Sequence, residues 1–420
     1  MGFLGPQISK ANGGLGRTEA PGDNILCLVM GGVAVDGGAQ LDTPIRLLST
    51  TDAEDAGLNA AYDAANNVLV YYHIKEFFRL APNAELWIML VAQDTTQTEI
   101  VTKETGALQA LVLSDEAAGK IKYGGVVLNP ATDYDPTIND GIDADVLTAI
   151  PKAQELVDFM LTEQMFFDGI VLEGRSFDET ADYADLRTLN AGSVQVCIGQ
   201  DPDVAALHAI HAEHACVGAL LGMIAARQVN ENVGSVDIKN KPLSKKGNPS
   251  YPLGDGIVWL SAALSSGTKF SNLSQARKTD LTNKGYVYAG SYRGYSGIFF
   301  NSSPTCTSAS SDYAFGENNR VWNKAARIVR ATLIPKMKGT LKTNPATGFI
   351  KSSSASGLEA IINNALKVQM VDLDECSAAA AYINPQQQVD DTHPLQVNVK
   401  VVLDKIIHEM TVEIALTNQL

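Results

Sequence analysis

Short apolar runs alternate with helix-patterned segments through the first half of the chain. The runs at 25–30, 85–91 and 194–198 have the length and composition of buried strands. Two parallel strands are joined only by a crossover connection, and the helical segments between these runs supply one. The pattern therefore predicts an α/β fold built on a largely parallel sheet.

Further elements follow from periodicity and from turn residues. Two runs at 285–290 and 297–301 are predicted strands of this sheet or of a neighbouring one. The alanines at 378–381 and the segment 385–388 are predicted to form a connector. The predicted helices cover 61–80, 104–113, 144–165, 178–190, 203–227, 316–338 and 352–370.

Composition excludes several classes of function. The net charge is −15, which argues against nucleic acid as the main partner. Residues 1–200 carry 11 Lys and Arg against 29 Asp and Glu, and the remainder carries 21 against 18. The longest apolar run, 216–226, is shorter than the roughly 20 residues of a membrane span, so no membrane insertion is expected. Five cysteines without a CxxC pair are typical of free thiols in a reducing cytoplasm.

Few residues suggest catalysis. His208, His211 and His214 are spaced three apart, but the i, i+4 pair of a zinc helix is absent. Several polar residues could line the carboxyl edge of the sheet, where α/β enzymes place their sites, namely Asp168, Glu173, Arg175, Asp178 and Glu179. Because such residues are also ordinary element ends, we predict no catalytic, cofactor or metal site.

The predicted helix from residue 316 has one basic side. Arg320, Lys324, Arg327 and Arg330 fall within one helical stripe, and Glu317 is the only nearby acid in sequence. The opposite side is apolar. The stripe is either a solvated face or a docking face for an acidic protein surface.

The last two patterned segments alternate with period two. In the first, Leu395, Val397, Val399, Val401 and Leu403 share one face. In the second, the shared face consists of Met410, Val412, Ile414 and Leu416. These segments can pair with each other as a hairpin within one subunit. Because an isolated two-stranded ribbon is marginally stable in water, each can instead pair with another subunit.

Taken in order, these elements resemble the contractile tail sheath proteins of bacteriophages and related contractile injection systems, closest to the compact single-chain members. The resemblance rests on five segments and covers nearly the whole chain. They are the arm before 25–30, the helix ending at 74–78 with the strand 85–91, the segment 214–234, the basic helix around 318–322, and the terminal pair 395–404 and 408–418.

The resemblance implies a fold class and domain borders. The fold is α/β, with a tail-sheath-like core of mixed or parallel sheet flanked by helices, and with extended N- and C-terminal arms that form an intersubunit β-sheet. The implied borders are an arm at 1–23, a sheath region at 24–315 with an outer part at about 85–260, an inner domain at 316–404 and a terminal strand at 405–420.

The resemblance also implies a function without an enzyme. A sheath subunit polymerises with itself around an inner tube protein, meets baseplate and terminator or cap proteins, and contracts to drive the tube through a target envelope. It assembles in the bacterial cytoplasm and ends in a phage tail or injection particle. The competing interpretation is an α/β enzyme or a small-ligand-binding protein.

Two surfaces carry these expectations. The tube-docking residues would be Arg320, Lys324, Arg327 and Arg330. Reversing Arg320, Lys324 and Arg327 to Glu should leave folding intact but abolish assembly of the extended sheath around the tube. Strand exchange would place residues 408–418 in one neighbour and residues 2–9, with Phe3, Leu4 and Ile8, in another. Removing 405–420 should then leave a folded monomer that does not polymerise.

Overall fold

An α/β domain is followed by a smaller unit of helices and a β-ribbon. The computed structural model describes residues 22–117, 119–390 and 392–416. The strands are β1 (Ile25–Gly31), β2 (Ile45–Leu47), β3 (Glu85–Val91), β4 (Tyr123–Val127), β5 (Ile138–Asn139), β6 (Ile142–Asp143), β7 (Gly169–Glu173), β8 (Val194–Cys197), β9 (Gly199–Gln200), β10 (Ala263–Leu264), β11 (Ala289–Gly290), β12 (Phe299–Phe300), β13 (Ala378–Tyr382) and β14 (Asn398–Val402).

Helices alternate with these strands through the first half of the chain. The α-helices of the described chain are α1 (Thr50–Asp55), α2 (Ala60–Asn66), α3 (Val70–Leu80), α4 (Gln97–Val101), α5 (Ala107–Leu113), α6 (Ala144–Thr162), α7 (Pro202–Ala205), α8 (Val217–Ala226), α9 (Gln275–Asn283), α10 (Gly316–Leu333) and α11 (Ser352–Gln369). We call residues 22–315 the large domain and residues 316–404 the C-terminal unit.

The large domain is organised by a six-stranded sheet with the order β2-β3-β1-β4-β7-β8. β2 is antiparallel to β3, and the remaining neighbours are parallel. Every residue of β1 and β3 is buried, which explains their continuous apolar sequences. The mixed or parallel sheet flanked by helices is confirmed.

Helices cover both faces of this sheet. Alternate side chains of β1 enter two separate cores, with Leu28 on the α3 and α8 side and Val29 on the α4, α5 and α6 side. Helices α3 and α8 approach closely at Gly218, where an added Cβ would lie 2.4 Å from the backbone oxygen of His73. Helices of the large domain itself therefore bury both faces of its sheet.

Three predicted helices are interrupted or mostly absent. The predicted helix 61–80 is divided into α2 and α3, because Asn67 adopts a left-handed conformation with φ +53° and ends α2. The predicted helix 203–227 is divided into α7, a short 3-10 turn and α8, because buried Glu173 accepts the backbone N–H of Ala215 that a continuous helix would use. The predicted helix 178–190 is mostly loop. There the side chains of Asp178 and Asp185 accept backbone N–H groups two residues ahead, which favours turns over helix.

The second predicted sheet region is smaller than expected. Of the segments 285–290 and 297–301, only β11 and β12 pair, as an antiparallel ribbon. A single parallel bridge between Val287 and Cys197 links this region to β8.

The C-terminal unit pairs α10 and α11 with a ribbon of β13 and β14. The prediction of a connector at 378–381 is wrong, because these alanines form β13 and pair antiparallel with β14. Their small side chains let α11 approach, and the Asn363 side chain accepts the N–H of Ala381 at 2.7 Å. β14 therefore takes its partner from before it in the chain.

Residues 408–416, the described part of the predicted strand 408–418, form no strand within the chain. Residues 403–416 carry no strand, so the hairpin between 395–403 and 408–418 is wrong for the part that the structure describes. One edge of β14 is taken by β13, and no described segment pairs with the other edge. The predicted N-terminal strand residues Phe3, Leu4 and Ile8 lie outside the described residues.

Candidate assembly surface of the C-terminal unit

Helix α10 is amphipathic, and its apolar side is only partly covered. Val321, Ala325 and Ile328 are buried in a core shared with Ile362 and Leu366 of α11. Further round the helix, the Trp322 side chain is exposed, and its ring centroid lies 6.3 Å from that of Phe166. One side of the apolar stripe is thus packed within the chain and the adjacent side is open.

The basic side of α10 faces the large domain instead of solvent. Arg320 is buried and donates to the backbone oxygens of Gln228 and Arg227 at 3.2 and 3.3 Å. Asn323 donates to the backbone oxygen of Phe167 at 3.1 Å. These bonds hold α10 against the loop after α8 and the loop before β7.

Lys324 and Arg327 enter a network of ion pairs between the two parts of the chain. Lys324 Nζ lies 2.7 Å from Asp23 and 2.5 Å from Glu375. Arg327 lies 2.9 Å from both Asp23 and Asp168. We call these five residues the interdomain network. It joins α10 to the residues just before β1 and β7.

Burial and pairing compete at these carboxyls. Burial alone would raise the pKa of Asp23, but Lys324 and Arg327 together hold it below its ordinary value. Asp168 is almost fully buried, and desolvation keeps its pKa raised in spite of Arg327. Removing the guanidinium would leave Asp168 as an uncompensated buried acid.

The structure corrects the prediction of a one-sided stripe free to dock a tube. Arg320, Lys324 and Arg327 are engaged within the chain, and only Arg330 is exposed, 3.3 Å from Gln164. The opposing acids come from positions 23, 168 and 375, which the local sequence around the helix does not contain. Charge reversal at Arg320, Lys324 and Arg327 is therefore expected to affect folding.

An apolar groove of about 1130 Å³ runs between α10 and β14. Its floor includes Trp322, Val329 and Leu333 of α10, and the inner residues Val399 and Val401 of β14 form one wall. Other lining residues are Phe166, Tyr313, Phe315, Val321, Ala326, Ile334, Met337, Val397, Leu403 and Ile406. The groove lies beside the β14 edge that no described strand covers.

The chain after β14 crosses this region and then leaves the fold. Asp404 accepts hydrogen bonds from Asn230 at 2.7 Å and Ser377 at 2.6 Å. The ring of His408 stacks on Phe315 with centroids 4.6 Å apart. Beyond this point the alternate residues Met410, Val412, Ile414 and Leu416 are 72%, 75%, 86% and 101% exposed.

The candidate chemical residues hold loops together. Glu173 accepts backbone N–H groups of Leu128 and Ala215, and Arg175 lies 3.8 Å from Glu173 and donates to the Ile210 oxygen. Asp168 precedes β7 and so lies at the opposite end of that strand from Glu173. These polar residues therefore do not all lie at the carboxyl edge of the sheet.

The three histidines do not share a helix. His214 is buried with His73 beneath α8, and its Nδ1 lies 2.7 Å from the His211 oxygen. Burial lowers the pKa of His214 to about 3 and that of His211 to about 4. Within the described ranges, no group of three or more metal-ligating side chains is arranged to hold an ion.

Two family models match the sequence. The model described as DUF2586, N-terminal domain, matches residues 3–304, and the model described as DUF2586, C-terminal domain, matches residues 312–420. A search of curated proteins found no match. Across the part of the chain that the structure describes, no helix is long and apolar enough to span a membrane.

Solved structures share the fold. A chain of the anti-feeding prophage helical sheath in its contracted state matches with a TM-score of 0.59 and 12% identity, over 100% of both chains. A chain of the six-fold symmetrised baseplate of that prophage matches at 0.56 and 11%, over 99% of both. A chain of its contracted-state baseplate matches at 0.55 and 12%, over 99% of this chain and 97% of that one. The resemblance to contractile sheath proteins is thus confirmed at the level of the fold.

Proposed function

The chain belongs to the DUF2586 protein family, and from its sheath-like fold we propose that it is a structural subunit of a contractile sheath. In this proposal it polymerises around an inner tube and contracts to drive that tube through a target cell envelope. The open groove, together with the exposed alternating tail, is the observation that carries the proposal.

The groove and the tail have complementary chemistry. The groove offers an uncovered strand edge at β14 above the apolar side of α10. The tail offers an apolar face on every second residue from Met410 to Leu416. An added strand would satisfy the free backbone groups of β14 and cover Trp322 and Val329.

We assign the groove to the tail of another copy. The tail is attached at Asp404 and His408 beside the groove and has no strand partner among the described residues. A strand given to one neighbour and received from another is a heterologous contact, which propagates into a ring or a helical tube. The N-terminal residues Phe3, Leu4 and Ile8 remain our candidates for a further strand from a third copy.

The proposal includes partners and a location. They are the chain itself, an inner tube protein, a baseplate and a terminator or cap, in a phage tail or injection particle assembled in the bacterial cytoplasm. Arg330 is the exposed member of the predicted tube-docking set. We propose no catalytic role, because Glu173 and Arg175 are occupied with backbone groups that hold loops.

A pair of matched variants tests the strand exchange. Val412→Asp with Ile414→Asp places charges on the apolar face of the tail, whereas Thr411→Asp with Ala415→Asp places the same charges on its other face. All four positions are exposed in the chain, so the thermal unfolding of the monomer should stay unchanged for both variants.

Assembly should separate the two variants. Negative-stain images and sedimentation are expected to show tubes of uniform width for the wild type and the second variant, and only monomers for the first. Removing residues 409–420 should act like the first variant. Normal tubes from the first variant or from the truncation would contradict the proposal.

A further inference from the structure

A strongly basic surface follows α10. No Asp or Glu occurs between Glu317 and Glu359, whereas eight Lys and Arg do. Three of these belong to α10 residues already engaged with the large domain. The other five are exposed and form what we call the basic surface, namely Arg330, Lys336, Lys338, Lys342 and Lys351.

The backbone holds these charges close together. The Lys351 N–H donates to the Lys342 oxygen at 2.9 Å, next to an antiparallel bridge between Thr343 and Ile350. The two lysines therefore lie side by side on the two paired segments. Like charges in this position destabilise a β-pair. Lys338 has φ +61°, a left-handed conformation that is unfavourable for a lysine.

No acid within the described ranges relieves this repulsion. None of the four lysines forms an ion pair there, although Lys324 and Arg327 nearby are both paired. Exposed Ile334 and Met337 lie among the lysines and also line the groove. The basic surface is therefore continuous with the place that the proposed function assigns to a neighbour's strand.

The large domain carries a surface of opposite charge. Asp133, Asp135, Asp140, Asp182 and Asp185 are exposed, and we call them the acidic surface. Its two loops are joined by hydrogen bonds from Ala184 to the Asp140 oxygen at 2.9 Å and from Asp178 to the Gly141 oxygen at 2.8 Å. Lys284 is 3.5 Å from Asp182, and the other four acids form no ion pair within the described part of the chain.

We propose that the basic surface of one copy binds the acidic surface of the next copy in the assembly. This inference rests on the proposed function and adds a second contact to the strand exchange. A second copy is favoured over another acidic partner because both surfaces are present on the same chain and the basic one adjoins the groove. Each copy uses two different surfaces, so the contact is head-to-tail and propagates.

Charge reversal with mixing tests this contact. The basic-reversed chain carries Lys336→Glu, Lys338→Glu and Lys342→Glu, and the acid-reversed chain carries Asp133→Lys, Asp135→Lys and Asp140→Lys. A control with the same charge change as the basic-reversed chain carries Lys75→Glu, Lys246→Glu and Lys269→Glu, all at exposed sites. The full-length proteins are compared by sedimentation at low and high salt, after their thermal unfolding has been matched.

We expect either reversal alone to raise the concentration needed for polymerisation by roughly ten- to a hundredfold, while the control changes it little. An equimolar mixture of the two reversed chains should restore assembly, because in an alternating polymer every contact again joins opposite charges. Added salt should weaken assembly of the wild type.

The outcomes separate this inference from the proposed function. If the wild type does not polymerise at either salt concentration, the proposed function fails and the contact fails with it. If the basic-reversed chain polymerises like the wild type, only the inference is overturned. Failure of the mixture to restore assembly, or an equal effect of the control, would also overturn it.

Discussion

The large domain and the C-terminal unit bury their apolar surface in different ways. In the large domain, helices cover both faces of the sheet, and residues such as Leu28 and Phe77 are fully buried. In the C-terminal unit, α10 is covered on one side only, and a strand edge and an apolar groove stay open. The first region thus buries its sheet by its own contacts, whereas the proposed function assigns the open part of the second region to a neighbouring copy.

Truncation of one apolar residue in each region is expected to give the largest difference in the free energy of unfolding. Phe77→Ala should lower the free energy of unfolding by about 3–5 kcal/mol, because it leaves a cavity between α3 and the sheet. Ile414→Ala removes an exposed side chain and should change monomer stability by less than about 0.5 kcal/mol. Denaturant unfolding of both variants measures this, and a large loss of stability for Ile414→Ala would mean that the tail packs within its own chain.

The joint between the two regions is expected to give the next largest effect. Arg327→Met removes the partner of buried Asp168 and should lower the free energy of unfolding by about 3 kcal/mol. Arg330→Met, one turn away at an exposed position, should cost less than about 0.5 kcal/mol. Equal stability of the two variants would contradict the interdomain network, and denaturant unfolding with a probe in each region distinguishes separation of the regions from global unfolding.

Acid should affect the large domain before the C-terminal unit. Burial lowers the folded-state pKa values of His73 and His214, so both stay neutral in the fold and bind protons on unfolding. The charge of His211 lowers both pKa values further, and that of Arg175 lowers the pKa of His214. The side chains of Tyr72 and Cys216 contact the two rings. Their contribution to stability is therefore complete above an unfolded-state pKa of about 6.5 and declines as the pH falls below it, for His214 down to its folded-state pKa of about 3.

The expected slope is about 1.4 kcal/mol per pH unit for each buried histidine within that range. His214→Gln should reduce the slope by one such step, whereas the exposed His393→Gln in the C-terminal unit should leave it unchanged. Free energies of unfolding measured from pH 7 to pH 4 test this. A slope that is identical in the wild type and in His214→Gln would refute the assignment.

The sequence predicted the large domain well because its signals are local. The strands at 25–30, 85–91 and 194–198 are apolar runs buried on both faces, and their length alone distinguishes them from helices. Two of the errors occur where a residue distant in sequence determines the local structure. Glu173 interrupts the predicted helix 203–227, and α11 turns the alanines at 378–381 into β13.

The candidate site was predicted less well, for the same reason. The stripe of Arg320, Lys324 and Arg327 is visible in the sequence, but its partners Asp23, Asp168 and Glu375 are brought to it only by the fold. The alternation at 410–416 correctly marked a segment with one apolar face. The alternation does not show whether the chain covers that face itself. That depends on the partners of β14, which pairs with β13 and not with the tail.

Hydrogen exchange at the tail tests the central claim most directly. The backbone amides of residues 409–416 and those of Asn398–Val402 are compared in the monomer and in the assembled form. We predict that the tail amides exchange freely in the monomer and become protected on assembly, together with the β14 amides on the open edge. Protection of residues 409–416 already in the monomer, or free exchange of these residues within assembled tubes, would contradict completion of the C-terminal unit by a neighbouring copy.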